Sequence, residues 1–343
     1  MSKIKEIFSP TTTSNESHHF NDLLPASFRD DDLSLRAPLD NISKFLHLDL
    51  SVQRLNDIQE YLWLAGRPMP PRPLNYQISV SRQIILDEKI DMHLVWGPAR
   101  RIYIKPLPQY LLDAHFWSTN LTCGEYPGIC YCMNSFKDAT PPPQAQKTPC
   151  PRSTLSKSAL GFLTSYIALI QHPSDFRIAQ DHSLLPASLT WPQWRALVQN
   201  LLATDVTHPT RINSRYKYGE LRLSRLNKIY ALQRGSFFRG YRAKYQTYQE
   251  LFRSYLAPIT AMTVYFALVL TAMQVGLGTE QLAENRAFHR ASYGFTVLSI
   301  LGPLVLVVLI IGVVVAHFVV NFLATVVFRR ERFSAFRRRA GKV

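Results

Sequence analysis

Four cysteines, Cys123, Cys130, Cys132 and Cys150, fall within one Pro-rich stretch of this 343-residue chain. Their spacing, C-x6-C-x-C-x17-C, lacks the paired C-x2-4-C knuckles of structural zinc sites. It reads as four reduced thiols in a long cytosolic loop, with zinc the rarer reading. In an oxidising lumen the even number would suggest disulfides instead. A second cluster, Asp87, Glu88, Asp91 and His93, has metal-ligand types, but carboxylates around a turn are usually just solvated. Neither cluster is assigned as a metal site, and the sequence assigns no catalytic residue and no cofactor.

Other short patterns are no stronger. HHFND, residues 18–22, resembles a histidine–aspartate acyltransferase motif only superficially. Arg67, Pro70 and Pro73 fit R-x-x-P-x-x-P, an SH3-docking pattern, although RPMPPRPL reads first as a rigid polyproline II connector. Residues 218–245, YGELRLSRLNKIYALQRGSFFRGYRAKY, carry one acid among many basic and aromatic side chains. Leu223, Leu226, Ile229 and Tyr230 form an apolar stripe at helical spacing there, flanked by Arg222, Arg225 and Lys228. Two placements are open: a helix lying on an anionic leaflet, or an amphipathic helix packed on a soluble domain.

The elements that must position these residues are dominated by two apolar runs. Residues 257–277 carry no charged side chain, and about 20 residues suffice to cross a ~30 Å hydrocarbon core. Residues 294–328 are also uncharged with His317 neutral, and Gly302–Pro303 can kink them. Both read as transmembrane helices, the second embedded near 298–322. The net charge of +15 gathers beside them. Arg239, Arg242, Lys244 and Arg253 precede the first span, and Arg329, Arg330, Arg332, Arg337, Arg338, Arg339 and Lys342 follow the second. By the positive-inside rule both termini are cytosolic and the neutral 278–293 loop is exoplasmic. Topology thus accounts for the basic residues, and no nucleic-acid role is expected. Ala272 and Gly276 are expected to pack against Ser299 and Gly302, leaving Gly312 and Ala316 for lipid or another subunit.

The soluble part reads as α+β, mainly helical with a small early sheet. Residues 1–44 read as a disordered tail. Within 45–117 a helix is expected over 49–66, capped by Ser51 or Asp49 and ended by Gly66, with Val52, Leu55, Ile58 and Leu62 as its apolar face. YQISVSRQIILDE (76–88) and MHLVWGPARRIYIKPL (92–107) read as strands, the second turning at Gly97–Pro98. The Cys/Pro loop spans 118–155. Residues 156–256 read as helical, including a core helix from 156 and a helix at 191 with Thr190 as cap and Pro192 in its first turn. A basic tail, 329–343, closes the chain.

Together LHLDLSVQRLNDIQEYLWLAGRPMPPRPLNYQ, ALGFLTSY, SDFRIAQ, WPQWRALV, YGELRLSRLNKIY, LTAMQVGL and YGFTVLSILGPL resemble a family of fungal integral membrane proteins of unknown function, over about residues 45–326. The resemblance implies two C-terminal spans and a fungal source, and carries no catalytic residue. Some members bear a subtilisin-like protease label. A subtilase needs His-Gly-Thr and Gly-Thr-Ser motifs, and none of the ten histidines precedes Gly and no Gly-Thr-Ser occurs. The protease reading is rejected. The expectation is a two-pass endomembrane or plasma-membrane protein acting as an interaction module with an unidentified protein partner. Its rival is a membrane-face enzyme or lipid-handling subunit using His317 and Asn321.

Overall fold

The computed structural model describes residues 22–122, 125–126, 129–130, 150–204, 208–233, 241–242 and 248–340. The chain divides into a unit of residues 1–236 and a unit of residues 237–343.

The first unit begins inside the stretch expected to be a tail. A hairpin pairs β1 (Phe28–Arg29) with β2 (Leu35–Arg36). Phe28 is buried edge-on against Phe45, with ring centroids 5.8 Å apart. Asp30 is 5% exposed; it pairs with Arg36 at 2.9 Å and also with Lys44. The tail expectation therefore fails from residue 22 onward, because a polar composition conceals one aromatic anchor and one ion-pair hub. Residues 1–21, HHFN among them, lie outside the described set.

The helix expected over 49–66 is not continuous. α1 (Ile42–Leu50) starts earlier, with Asn41 Oδ1 accepting from the Lys44 N–H at 3.0 Å, and Ser51 ends it in an extended conformation. Short turns at 53–56, 59–61 and 62–65 complete the segment. Asp49 does not serve as a cap. Its carboxylate receives Lys105 Nζ at 2.9 Å and Tyr110 OH at 2.5 Å. The apolar face survives the break, since Val52, Leu55, Ile58 and Leu62 are at most 1% exposed.

The strand expected over 76–88 is half helix. α2 (Leu74–Ser79) follows Pro73, its Asn75 N–H donating to Asp175 Oδ1 at 2.8 Å. Only β3 (Gln83–Leu86) is extended. Contacts with distant residues overrule the β-propensity of this segment. The hairpin expected at Gly97–Pro98 does form, joining β4 (Val95–Trp96) antiparallel to β5 (Arg101–Ile104). A small pair, β6 (Glu125–Tyr126) and β7 (Ile129–Cys130), lies in the Cys/Pro stretch. The main sheet has the order β3-β5-β4-β8, where β8 (Leu221–Arg222) runs parallel to β4 and β3 parallel to β5.

Three helices build the core beside that sheet. α3 (Pro151–Leu169) buries Ala159, Phe162, Leu163, Tyr166 and Leu169 almost completely. α4 (Pro173–Asp181) has buried Asp175 in its first turn, where the carboxylate takes the N–H groups of Gln171 and His172. α5 (Trp191–Ala203) begins as expected, with Thr190 donating to the Gln193 side chain and Pro192 in the first turn. α6 (Leu223–Gln233) turns Leu223, Leu226, Ile229 and Tyr230 inward, all at most 9% exposed. The stripe is therefore spent on the protein core, and only the second of its two open placements fits.

The second unit holds two helices long and apolar enough to cross a membrane, Ile259–Leu277 and Arg286–Ser334. They belong to α7 (Tyr248–Leu277) and α8 (Arg286–Ala340), and α8 runs on through Pro303. Only 6% and 0% of their apolar windows are buried, so neither is a core helix. Phe266 of α7 meets Phe295 of α8 edge-on at 5.5 Å and lies against Gly302. Gly276 instead faces Phe288. The expected meeting of Gly276 with Gly302 does not occur, because two phenylalanines set the depth of the pairing.

Candidate functional site

Two glycines make the site possible. A Cβ on Gly66 would lie 2.5 Å from the Glu220 carbonyl oxygen, and one on Gly219 would lie 2.5 Å from the Pro71 nitrogen. No other residue allows the 66–72 segment to lie this close to 219–221. The Gly219 N–H donates to Met69 O at 2.8 Å, and Gly66 bridges Leu221. The R-x-x-P-x-x-P segment is thereby fastened to the domain, with Pro71 buried and Arg72 committed. It is a structural strap here, in keeping with the connector reading.

Between strap, sheet edge and α6 lies a cavity of about 380 Å³. Trp63 and Trp96 provide its aromatic walls, and Arg67, Arg72, Arg82, Arg222 and Arg225 its charge. Glu220 is the one acid in the lining. Five guanidiniums against one carboxylate leave a formal excess of four positive charges. Arg72 grips Glu220 through Nε and Nη2 at 2.9 and 2.6 Å, while Arg82 Nη1 reaches it at 2.5 Å and Gln77 Nε2 at 2.8 Å. Burial alone would raise the pKa of Glu220. The hydrogen bonds from Arg72, Arg82 and Gln77 outweigh it and bring the value to about 2.

Trp96 holds two of the cations in place. The Arg82 and Arg222 guanidiniums lie 4.8 and 4.9 Å from its ring centroid. Arg225 Nη1 donates to Leu64 O at 3.0 Å, and Trp63 stands 61% exposed at the rim. Of the three cations expected to meet an anionic leaflet, Arg222 and Arg225 thus line a cavity, and Lys228 is exposed outside it. The set was missed in the sequence because its members span residues 63–225. The one local signal is the density of Trp and Arg in WLAGRPMPPR and RLSR.

A serine–histidine pair exists elsewhere and runs the wrong way for hydrolysis. His93 Nε2 lies 2.8 Å from Ser165 Oγ, and the Lys105 N–H donates to His93 Nδ1 at 3.2 Å. These partners assign Nδ1 as acceptor and Nε2 as the protonated donor to Ser165. The Ser165 hydroxyl donates in turn to Phe162 O at 2.6 Å. An activated nucleophile needs the hydroxyl to give its proton to the imidazole, and no imidazole lone pair faces Ser165. Both residues are at most 3% exposed, and burial, with Arg215 and Lys105 adding to it, holds His93 well below the usual histidine range.

The other expected clusters disperse. Asp87 Oδ1 takes the Lys89 N–H, Glu88 meets Lys105, and Asp91 pairs with Arg54 at 3.6 Å, so the acids around His93 do not converge on it. Among the described residues no group of three His, Cys, Asp or Glu is placed to hold a metal. Cys150 is half-buried just ahead of α3. Cys123, Cys132 and the Cys130 side chain lie outside the described set, as do the side chains of His317 and Asn321 in α8.

Residues 42–303 match a family described as a family of unknown function, DUF6601. No curated protein and no solved structure matches the chain. The matched region takes in every residue that lines the cavity and the whole of α7. With well over half its length inside that match, the chain belongs to the DUF6601 family, whose function is unknown.

Proposed function

We propose that the chain is a two-pass membrane protein whose first unit is a recognition module for an anionic ligand, serving interaction rather than hydrolysis. The carrying observation is the cavity: five arginines and two tryptophans converge on one concavity that holds a single acid. Its volume, about 380 Å³, is that of a small-molecule site, and its charge rather than an apolar lining would select the ligand. The reversed Ser165–His93 geometry removes the nearest hydrolytic alternative.

Membrane anchoring rests on α7 and α8. Leu301, Val308 and Phe322 are 53%, 61% and 57% exposed, in a helix whose length exceeds any span. Water would penalise so large an apolar surface, and lipid would not. The basic flanks, Arg239 to Arg253 and Arg329 to Lys342, favour cytosolic termini, with the latter facing an anionic leaflet. A fungal endomembrane setting agrees with the family resemblance.

The reading is tested by placing a photo-crosslinking residue at position 63 in the full chain within native membranes. A discrete adduct that disappears with Arg222→Gln supports it. An adduct pattern equal to that from exposed position 232, or release of the protein by alkaline carbonate, overturns it.

A further inference from the structure

We infer that the cavity between Trp63 and Trp96 takes a multiply charged phosphorylated ligand, an inference that rests on the recognition-module reading above. Two of the five arginines are already committed within the protein. Glu220 neutralises one charge and is shared by Arg72 and Arg82, so those two forks are partly satisfied from within. Arg67, Arg222 and Arg225 have no carboxylate partner among the described residues. Arg222 rests on the Trp96 face, and Arg225 uses one nitrogen on the Leu64 carbonyl. Three guanidiniums with donors to spare therefore border one concavity.

Like charges held together at a surface destabilise each other unless something is gained. Here two of them are anchored: Arg82, only 10% exposed at its side chain, and Arg222 both lie over the Trp96 ring, while Arg67, Arg222 and Arg225 open to solvent at the mouth of the cavity. A planar fork of N–H donors matches phosphate oxygens, and a phosphoryl group accepts several such forks at once. A single carboxylate uses the capacity of about two arginines, as Glu220 itself shows. A cavity of about 380 Å³ admits a compact phosphorylated ring or polyol and excludes a duplex. The exposed Trp63 indole offers a face for that ring, or an edge for the headgroup layer of a bilayer. A free phosphorylated metabolite and a phosphorylated lipid headgroup share this chemistry.

Calorimetric titration of the full chain in neutral detergent micelles separates the sources. The probes are inorganic pyrophosphate, mixed micelles with phosphatidylinositol bisphosphate, mixed micelles with phosphatidylserine at matched charge, and poly-glutamate. Binding of pyrophosphate and phosphoinositide, weakened about tenfold or more by Arg67→Gln and by Arg222→Gln at an unchanged melting temperature, supports the inference with a free ligand as source. Phosphoinositide binding alone, with the same losses, supports it with a lipid source. Arg222→Lys should recover only part of the affinity, since it restores charge without the fork. Lys228→Gln removes equal charge from α6 outside the cavity and should change nothing; a loss equal to that of Arg222→Gln, or equal binding of phosphatidylserine, overturns the inference. Poly-glutamate binding that needs Arg222, with no response to phosphate, overturns the phosphate assignment and leaves the recognition module standing. Silence with all four probes overturns both.

Discussion

Arg72 and Glu220, separated by 148 positions in the chain, form a two-pronged ion pair with Nε–Oε1 and Nη2–Oε2 distances of 2.9 and 2.6 Å. The pair ties the strap to the sheet edge and fixes one wall of the cavity. Glu220 is nearly buried, whereas the Arg72 side chain is 36% exposed, so the loss falls mainly on the acid when the pair is broken. Arg72→Ala is expected to cost about 2 kcal/mol, below the full penalty of a buried pair because Arg82 and Gln77 stay on Glu220. In a double-mutant cycle with Glu220→Gln the two losses should fall short of additive by roughly 1 kcal/mol. Additive losses in urea unfolding would show that the pair does not couple strap to sheet.

Buried His93 and the partly buried Glu220 and Asp91 give stability a structured dependence on pH. Glu220 has its pKa lowered from 4.5 to about 2, so its contribution is complete above pH 4.5 and fades as pH falls towards 2. That step amounts to roughly 2–3 kcal/mol after allowance for solvent around Arg72. His93 is also lowered, from 6.5, which makes the folded state prefer the neutral ring. Its contribution is complete above pH 6.5 and declines as pH falls below it. Asp91 opposes them: burial raises its pKa to about 6 against the pull of Arg54, so its contribution is lost as pH rises from about 4 to about 6. Glu220→Gln should shrink the loss below pH 4.5 to the part that His93 contributes, and Asp91→Asn should raise stability at pH 7 relative to pH 4. Melting curves across pH that keep the wild-type slopes in these variants would contradict the assignments.

Legibility in the sequence followed the range of the interactions. The stripe Leu223, Leu226, Ile229 and Tyr230, the Thr190–Pro192 helix start and the Gly97–Pro98 hairpin depend on neighbours within a turn or two, and each forms as its pattern indicates. The two apolar helices announce themselves by length. The cavity depends on the β3-β5-β4-β8 order, with two parallel pairings that no local pattern encodes. Arg67, Arg82 and Arg222 become neighbours of one cavity only once that sheet is built. Phe28 and Asp30 were hidden for the same reason, since Phe45 and Lys44 give them their meaning.

The proposed cytosolic placement of the first unit makes a chemical prediction. Asn15-Glu-Ser17, Asn41-Ile-Ser43 and Asn120-Leu-Thr122 are glycosylation sequons that stay bare on the cytosolic side. The Asn41 side chain caps α1, so Asn41→Gln would confound topology with a capping loss of about 1 kcal/mol. Ser43→Ala removes the sequon and leaves the cap. Glycosidase treatment of the full chain from its native membrane should produce no mobility shift. A shift that vanishes with Ser17→Ala, Ser43→Ala or Asn120→Gln would reverse the topology and make the four cysteines disulfide candidates.

The meeting of α7 and α8 is set by Phe266, not by a pair of small residues. A Cβ on Gly302 would lie 3.8 Å from the Phe266 ring, an ordinary contact, and Phe295 meets the same ring edge-on. Gly276 is ten residues further along α7, about 15 Å at 1.5 Å per residue, and a Cβ there would meet Phe288 at 2.9 Å. Small residues promote helix approach only when they face each other, and here each receives an aromatic ring from the other helix. Gly312 has nothing within 4 Å of its added Cβ, so its face is open. In a background without the native cysteines, Phe266→Cys paired with Gly302→Cys should crosslink readily with a short bifunctional maleimide. Gly276→Cys paired with Gly302→Cys should crosslink poorly, and Gly276→Cys with Gly312→Cys not at all. Equal yields for the first two pairs would show that the helices slide past this register, and a preference for 276–302 would restore small-residue packing.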